Sequence, residues 1–125
     1  MKLNPLALAC AISLALSAQA AIADINVGVS LSTTGPGAAL GIPEKNALAI
    51  MPTEIAGEKI NYIVLDDATD PTAASKNARK LTSEDKVDVL IGSSVTPTSL
   101  AVTEVAVETK TPQISLAPTN LPAEK

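Results

Sequence analysis

The sequence VDVLIGSSVTP, residues 87–97, joins a short apolar run to the start of a helix. The run from Val87 to Ile91 predicts a buried strand, and Gly92 breaks it into a loop of small hydroxyl residues. Thr96 is a good N-cap, and Pro97 suits the first helical turn because its missing N–H would have no partner there. Such a connection leaves N–H groups and the positive end of a helix dipole at the end of a strand, where a carboxylate can bind. An ordinary strand-to-helix connection is the alternative interpretation.

Residues 1–23 have the features of a secretory signal peptide, namely basic Lys2, a short apolar run and an A-x-A ending. The apolar run falls short of the roughly 20 residues that a membrane span needs. Cleavage is possible after Ala20 or after Ala23, and the second site is preferred, which makes Asp24 the first residue of the mature chain. The sequence therefore predicts a periplasmic, exported protein.

The composition of the chain excludes several kinds of chemistry. Cys10, the only cysteine, lies within the predicted signal peptide, and the chain has no histidine. Disulfides, thiol catalysis, and catalysis or metal binding by histidine are therefore excluded from the mature chain. The net charge is −4 and becomes one unit more negative when Lys2 is removed, and Tyr62 is the only aromatic residue. Both features argue against nucleic acid.

Alternating and apolar segments predict a βαβαβαβ order. The predicted strands are 25–31, 60–65, 87–91 and 112–116. The first predicted helix runs from Pro43-Glu44 to about Ile55 with a kink at Pro52. The second begins after the Asp70-Pro71 cap, and the third runs from Pro97 to about Thr109. This alternation indicates an α/β fold with helices on both faces of a parallel sheet, a three-layer arrangement. The polar loops that follow the strands would share one edge, where ligands bind in such sheets.

Three motifs at this edge have competing interpretations. The segment 35–41, GPGAALG, resembles a dinucleotide fingerprint, but its spacing is off by one residue, so a glycine loop near a ligand is favoured. Asp66 and Asp67 could bind a metal ion, but adjacent acids on an extended chain point to opposite sides, which favours capping and turn roles. Serine nucleophiles would have no histidine or cysteine partner, although activation by a lysine stays formally open. No cofactor and no metal ion is predicted.

Two hydroxyl residues remain as candidates for binding. Thr96 lies beside the start of the third predicted helix, and Thr119 follows the fourth predicted strand, its expected neighbour in the sheet. These hydroxyls and the nearby backbone amides would suit a small carboxylate held by neutral donors, and each such hydrogen bond to a charged group is worth about 1.5–3 kcal/mol.

Four segments resemble the periplasmic branched-chain amino-acid-binding proteins, the substrate-binding components of ATP-binding-cassette (ABC) importers. The segments are LSTTGP at 31–36, VLDDATDP at 64–71, VLIGSSVT at 89–96 and PQISLAPTN at 112–120. The D-D-x-x-D-P and I-G-S blocks, in this order and spacing, are typical of the family but not of one ligand. The resemblance spans essentially the whole mature chain.

This resemblance implies a two-lobed flytrap, with residues 24–125 forming the N-terminal, incomplete part of lobe one. It implies that Thr96, where serine is more usual, contacts the ligand carboxylate. It also implies backbone contacts at Ala117, a hydroxyl and an amide at Thr119, and a pocket-lining side chain at Leu40, where an aromatic residue is often found. The second lobe would supply the partner for the ligand's amine.

The implied function is delivery of a small amino acid or related carboxylate to an ABC permease by a monomeric, non-enzymatic protein. A ligand-sensing domain of a receptor or regulator with the same fold is the alternative, and an exported enzyme is a third hypothesis without a catalytic constellation. We expect the 125-residue chain alone to fold only marginally and not to close on a ligand, because its last predicted strand would be an unpaired edge.

Overall fold

The computed structural model describes residues 24–119, so the predicted signal peptide and the end of the last loop, residues 120–125, lie outside the described residues. The strands are β1 (Ile25–Leu31), β2 (Glu54–Ile55), β3 (Glu58–Asp66), β4 (Val89–Ile91) and β5 (Gln113–Ile114), and the helices are α1 (Ala38–Leu48), α2 (Pro71–Ser83) and α3 (Thr96–Thr109). The predicted alternation of strands and helices is confirmed.

The five strands form one sheet in the order β2-β3-β1-β4-β5. β1 pairs in parallel with β3 on one side and with β4 on the other, and β4 pairs in parallel with β5. Among the strands of residues 24–119, only β2 is antiparallel to its neighbour. The chain therefore leaves β1 towards one side of the sheet and later returns to its other side, which makes the carboxyl end of β1 the point where strand order reverses.

The helices cover both faces of this sheet, as the α/β prediction requires. On one face, α2 and α3 pack together around buried Leu81, Val102 and Leu90. On the other face, α1 lies against β1, where Val29 and Leu31 are buried and Leu48 packs beside them. The described residues thus form three layers, with the parallel strands between two helical layers.

The first helix begins and ends earlier than the predicted range from Pro43 to Ile55. Pro43 lies inside α1, and the helix starts five residues before it. The helix stops at Leu48 because Pro52, four residues later, has no N–H to donate to the Leu48 carbonyl and its ring would clash with that carbonyl. Residues 49–51 instead donate to carbonyls three residues back, which tightens the end of the helix into a turn.

A short β-hairpin replaces the last part of that predicted helix. Ala56 has φ 54° and Gly57 has φ 85°, and these two left-handed residues connect β2 to β3. Two-residue connections with both central φ values positive match the twist of antiparallel strands. Pairing with β2 also explains why β3 begins at Glu58, two residues before the predicted start.

The second helix follows its sequence signals closely. The carboxylate of Asp70 accepts hydrogen bonds from the amides of Thr72 (2.6 Å) and Ala73 (3.0 Å), so Asp70 is the predicted N-cap. Ala74 and Leu81 of the predicted apolar stripe are fully buried.

The strands β4 and β5 are shorter than predicted, by two and three residues respectively. Within residues 24–119, none of the helices has the length and apolar character needed to cross a bilayer.

We expect Gly41→Ala to destabilise the protein by about 2–3 kcal/mol. A Cβ atom at Gly41 would lie 2.1 Å from the Ser32 carbonyl oxygen, so α1 or the loop after β1 would have to move. Helix propensity alone predicts the opposite, a gain of about 1 kcal/mol. Urea unfolding measures the difference. The control is Gly28→Ala, whose Cβ would meet only side-chain atoms, the nearest at 3.0 Å. A Gly41→Ala variant that is as stable as the parent would contradict this account of α1 packing.

Candidate functional site

The loops after β1, β3 and β4 meet at the carboxyl edge of the sheet. The Ser32 amide donates to the Ser94 hydroxyl at 3.0 Å, which joins the loop after β1 to the loop after β4. The Ser94 hydroxyl in turn donates to the Glu44 carboxylate of α1. The polar loops therefore share one edge, as predicted, and they contact each other at the point where strand order reverses.

The buried Asp67 carboxylate lies beneath this meeting point. It accepts hydrogen bonds from the hydroxyls of Ser30 (3.0 Å), Ser32 (2.7 Å) and Ser93 (2.5 Å) and from the amide of Thr69 (3.0 Å). Its side chain is fully buried, so each of these bonds replaces a contact with water. Sequence reasoning assigned Asp67 to a turn and missed that it joins three segments of the chain. Its only signal in the sequence is an acid at the end of a strand, among serine-rich loops.

Asp66 faces the other way and holds the loop before α1. Its carboxylate accepts from the amides of Thr33 (2.9 Å) and Ala68 (3.0 Å) and from the hydroxyl of Thr34 (2.6 Å). Burial alone would raise the pKa of Asp66, but these hydrogen bonds, led by the Thr34 hydroxyl, lower that pKa from 3.8 to about 2. The two acids thus occupy separate hydrogen-bond networks, in agreement with their predicted turn roles. The described residues contain no group of acids arranged to hold a metal ion.

The first turn of α3 has no side-chain cap. Val95, with extended backbone (φ −131°, ψ 155°), is the N-cap residue, and it supplies no side-chain acceptor. The prediction that Thr96 caps this helix is therefore wrong by one residue, because Thr96 is already helical. Its exposed hydroxyl donates to the Pro118 carbonyl at 3.0 Å. The first N–H groups of any helix lack an intrahelical partner, and Pro97 has no N–H, so here the amides of Thr96 and Thr98 are left without a side-chain cap. The helix dipole adds positive character there.

The loop after β5 approaches this helix from the neighbouring strand. Ala117 is buried, and its backbone carbonyl and amide both bond the Ser115 hydroxyl. Thr119 lines a cavity of about 380 Å³ with residues of the second half of α3 and of β5. Thr96 is not among the residues that line this cavity. The structure therefore joins Thr96 to the loop that carries Ala117 and Thr119, but through the Pro118 carbonyl rather than through the Thr119 side chain.

Leu40 lies in the first turn of α1, and its side chain is 54% exposed. Beside this helix, an apolar cavity of about 300 Å³ opens between α1 and the sheet. The residues lining it are Val29, Leu31, Glu44, Ala47, Leu48, Met51, Ile91, Ile114 and Leu116. Leu40 does not line this cavity. Glu44, which sequence reasoning did not single out, is the one charged residue there, and its bond to Ser94 ties the cavity to the loop after β4.

The chain belongs to the periplasmic binding protein family, whose model matches residues 24–125. This family comprises extracytoplasmic binding proteins, so the resemblance found in the sequence is confirmed. The architecture agrees with one lobe of the periplasmic-binding fold. No curated protein matches the chain.

Solved structures show the same relationship. An extracellular ligand-binding receptor from Rhodopseudomonas palustris is 55% identical with a TM-score of 0.79, and the match covers 80% of this chain and 28% of that one. A solute-binding protein of an ABC transporter from R. palustris BisB5, in complex with 3,4-dihydroxybenzoic acid, is 34% identical (TM-score 0.71; 75% and 27% covered). A leucine-binding protein, LivK, from Thermotoga maritima MSB8 is 27% identical with a TM-score of 0.72, and the match covers 78% of this chain and 29% of that one. The chain thus spans less than a third of the length of these relatives.

Asp66 should contribute acid-sensitive stability. A carboxylate whose pKa is lowered on folding stabilises the protein above its unfolded-state pKa of about 4, and this contribution is lost as the pH falls to about 2. We therefore expect the stability difference between the parent and Asp66→Asn to shrink as the pH falls through this window. Urea unfolding at a series of pH values tests it. Thr34→Val, which removes one donor to Asp66, should give a smaller change in the same direction. A difference that is constant with pH would contradict the assigned role.

Proposed function

We propose that the intact protein captures a small amino acid or a related carboxylate outside the cytoplasm and delivers it to the permease of an ABC importer. The observation that carries this proposal is the uncapped first turn of α3, which lies where strand order reverses in a member of the periplasmic binding protein family. Backbone N–H groups at a helix N-terminus are suited to bind a carboxylate without a cationic side chain.

The proposed ligand contacts are Thr96, Ala117, Thr119 and Leu40. The Thr96 hydroxyl would exchange the Pro118 carbonyl for a ligand oxygen, since both acceptors would lie at the start of α3. The loop after β5 would supply backbone groups at Ala117 and a hydroxyl at Thr119. The exposed side chain of Leu40 would contact the apolar part of the ligand.

The carboxylate is the group that the ligands named for the relatives have in common. One relative holds 3,4-dihydroxybenzoic acid, and another is a leucine-binding protein. In the described part of this chain, Asp66, Asp67 and Asp70 already accept several hydrogen bonds each from protein donors. Glu44, at the same edge, also accepts a hydrogen bond, from the Ser94 hydroxyl. The proposal places the partner of a ligand ammonium group outside the described residues, in the second lobe of a flytrap.

The proposal further takes residues 1–23 as a signal peptide, the protein as a periplasmic monomer, and its action as binding without catalysis.

A ligand-sensing role is the second candidate, because one relative is described as an extracellular ligand-binding receptor. Uptake of labelled ligand by cells that lack the gene separates the two roles. Importer function predicts that uptake is lost, whereas a sensor leaves uptake intact and alters a response.

Thr96→Val should weaken ligand binding by the intact protein by about 1–3 kcal/mol. Valine keeps the branched shape of threonine and removes the hydroxyl donor. L-leucine and 3,4-dihydroxybenzoate are the first probes, and isothermal titration calorimetry gives the dissociation constants. The control is Thr109→Val, which makes the same change at the opposite end of α3. There the hydroxyl bonds only to its own helix and to Thr111. Equal dissociation constants for parent and Thr96→Val would remove Thr96 from the site.

A further inference from the structure

Asp67 has a fully buried carboxylate whose donors come from the edge of the sheet. Three donors are serine hydroxyls, from Ser30 in β1, Ser32 just after β1, and Ser93 in the turn before α3. Neither of the two ion pairs in residues 24–119 includes Asp67. The carboxylate is thus stabilised by neutral donors alone, and four bonds to one charged group fix their relative positions.

The bond from Ser93 extends this network towards the proposed ligand site. The Ser93 hydroxyl donates to Asp67 and accepts from the Ser94 amide at 2.6 Å. Ser94 then bonds both the Ser32 amide and the Glu44 carboxylate. Hydrogen bonds in such a chain polarise and strengthen one another in a buried environment. The turn before α3 is therefore held from beneath by Asp67 and from the side by α1.

We propose that Asp67 is a positioning residue for the ligand site, because through Ser93 it holds the turn 92–95 in the shape that presents the first turn of α3 to a carboxylate. The proposal rests on the proposed function. It names a residue that touches no ligand and acts through another side chain.

Electrostatics alone predicts the opposite effect of Asp67 on ligand affinity. A negative charge behind a carboxylate site repels the ligand, so its removal in Asp67→Asn would tighten binding if the turn kept its shape. A positioning role of Asp67 predicts weaker ligand binding by Asp67→Asn, because the asparagine amide cannot accept all of the hydrogen bonds that the carboxylate accepts. The sign of the change in affinity therefore distinguishes the two effects.

A matched pair of serine variants separates positioning from general stability. Ser93→Ala and Ser30→Ala each remove one buried hydroxyl bonded to the same carboxylate oxygen of Asp67, but only Ser93 lies in the turn before α3. In the intact protein we expect Ser93→Ala to raise the dissociation constant about tenfold, the size of one charge-assisted hydrogen bond, and Ser30→Ala to leave it unchanged. Asp67→Asn should follow Ser93→Ala. L-leucine and 3,4-dihydroxybenzoate are the probes.

Amide hydrogen exchange supplies a second readout that needs no ligand. Positioning predicts faster exchange in residues 92–96 for Ser93→Ala, with β3 and α2 as protected as in the parent, and no such local change for Ser30→Ala. The proposal would be overturned by any of three results. These are equal exchange in Ser93→Ala and Ser30→Ala, equal dissociation constants for these two variants, and tighter binding by Asp67→Asn. If neither probe binds the parent protein, the ligand class of the proposed function is wrong, and hydrogen exchange still decides the role of Asp67.

Discussion

The buried Asp67 carboxylate is the constraint on which the carboxyl edge of this sheet depends. A charge without water must receive hydrogen bonds, and here the donors are Ser30, Ser32, Ser93 and the amide of Thr69. These groups come from three stretches of the chain that are distant in sequence. Without the carboxylate, only weaker contacts would hold these donor groups in place. The edge is therefore built around one acceptor rather than around a hydrophobic contact.

Parallel topology brings those stretches together, and small residues allow their close approach. β1 is the central strand, and the loops that leave β1 and β4 are neighbours because the strand order reverses there. A Cβ atom at Gly92 would lie 2.0 Å from the Ser30 carbonyl oxygen, and Gly92 has φ 126°. Only glycine fits this combination of space and backbone. The turn before α3 thus lies directly on the backbone of β1, which gives the proposed site a rigid base.

The sequence predicts those parts of the fold whose signals are local. The alternation of elements and the Asp70-Pro71 cap follow from short patterns. The hairpin at Ala56 was not predicted, because an alanine gives no sequence signal for a positive φ. α1 begins earlier than predicted, because Pro43 favours a helix N-terminus but lies inside the helix here. Thr96 and Thr119 follow from their places beyond predicted strands, and Ala117 and Leu40 follow from the family resemblance. The network around Asp67 depends on non-local contacts that no single stretch reveals.

In the proposed mode of binding, the ligand carboxylate lies at the uncapped start of α3, at the edge held by Asp67. The most direct measurement is the change of backbone amide chemical shifts when the intact, isotope-labelled protein is titrated with L-leucine or 3,4-dihydroxybenzoate. We expect saturable changes at the amides of residues 94–96, Thr98, Ala117 and Thr119, with the rest of α3 little affected. Saturable changes confined to the cavity around Lys110 and Gln113, with residues 94–98 unaffected, would contradict it.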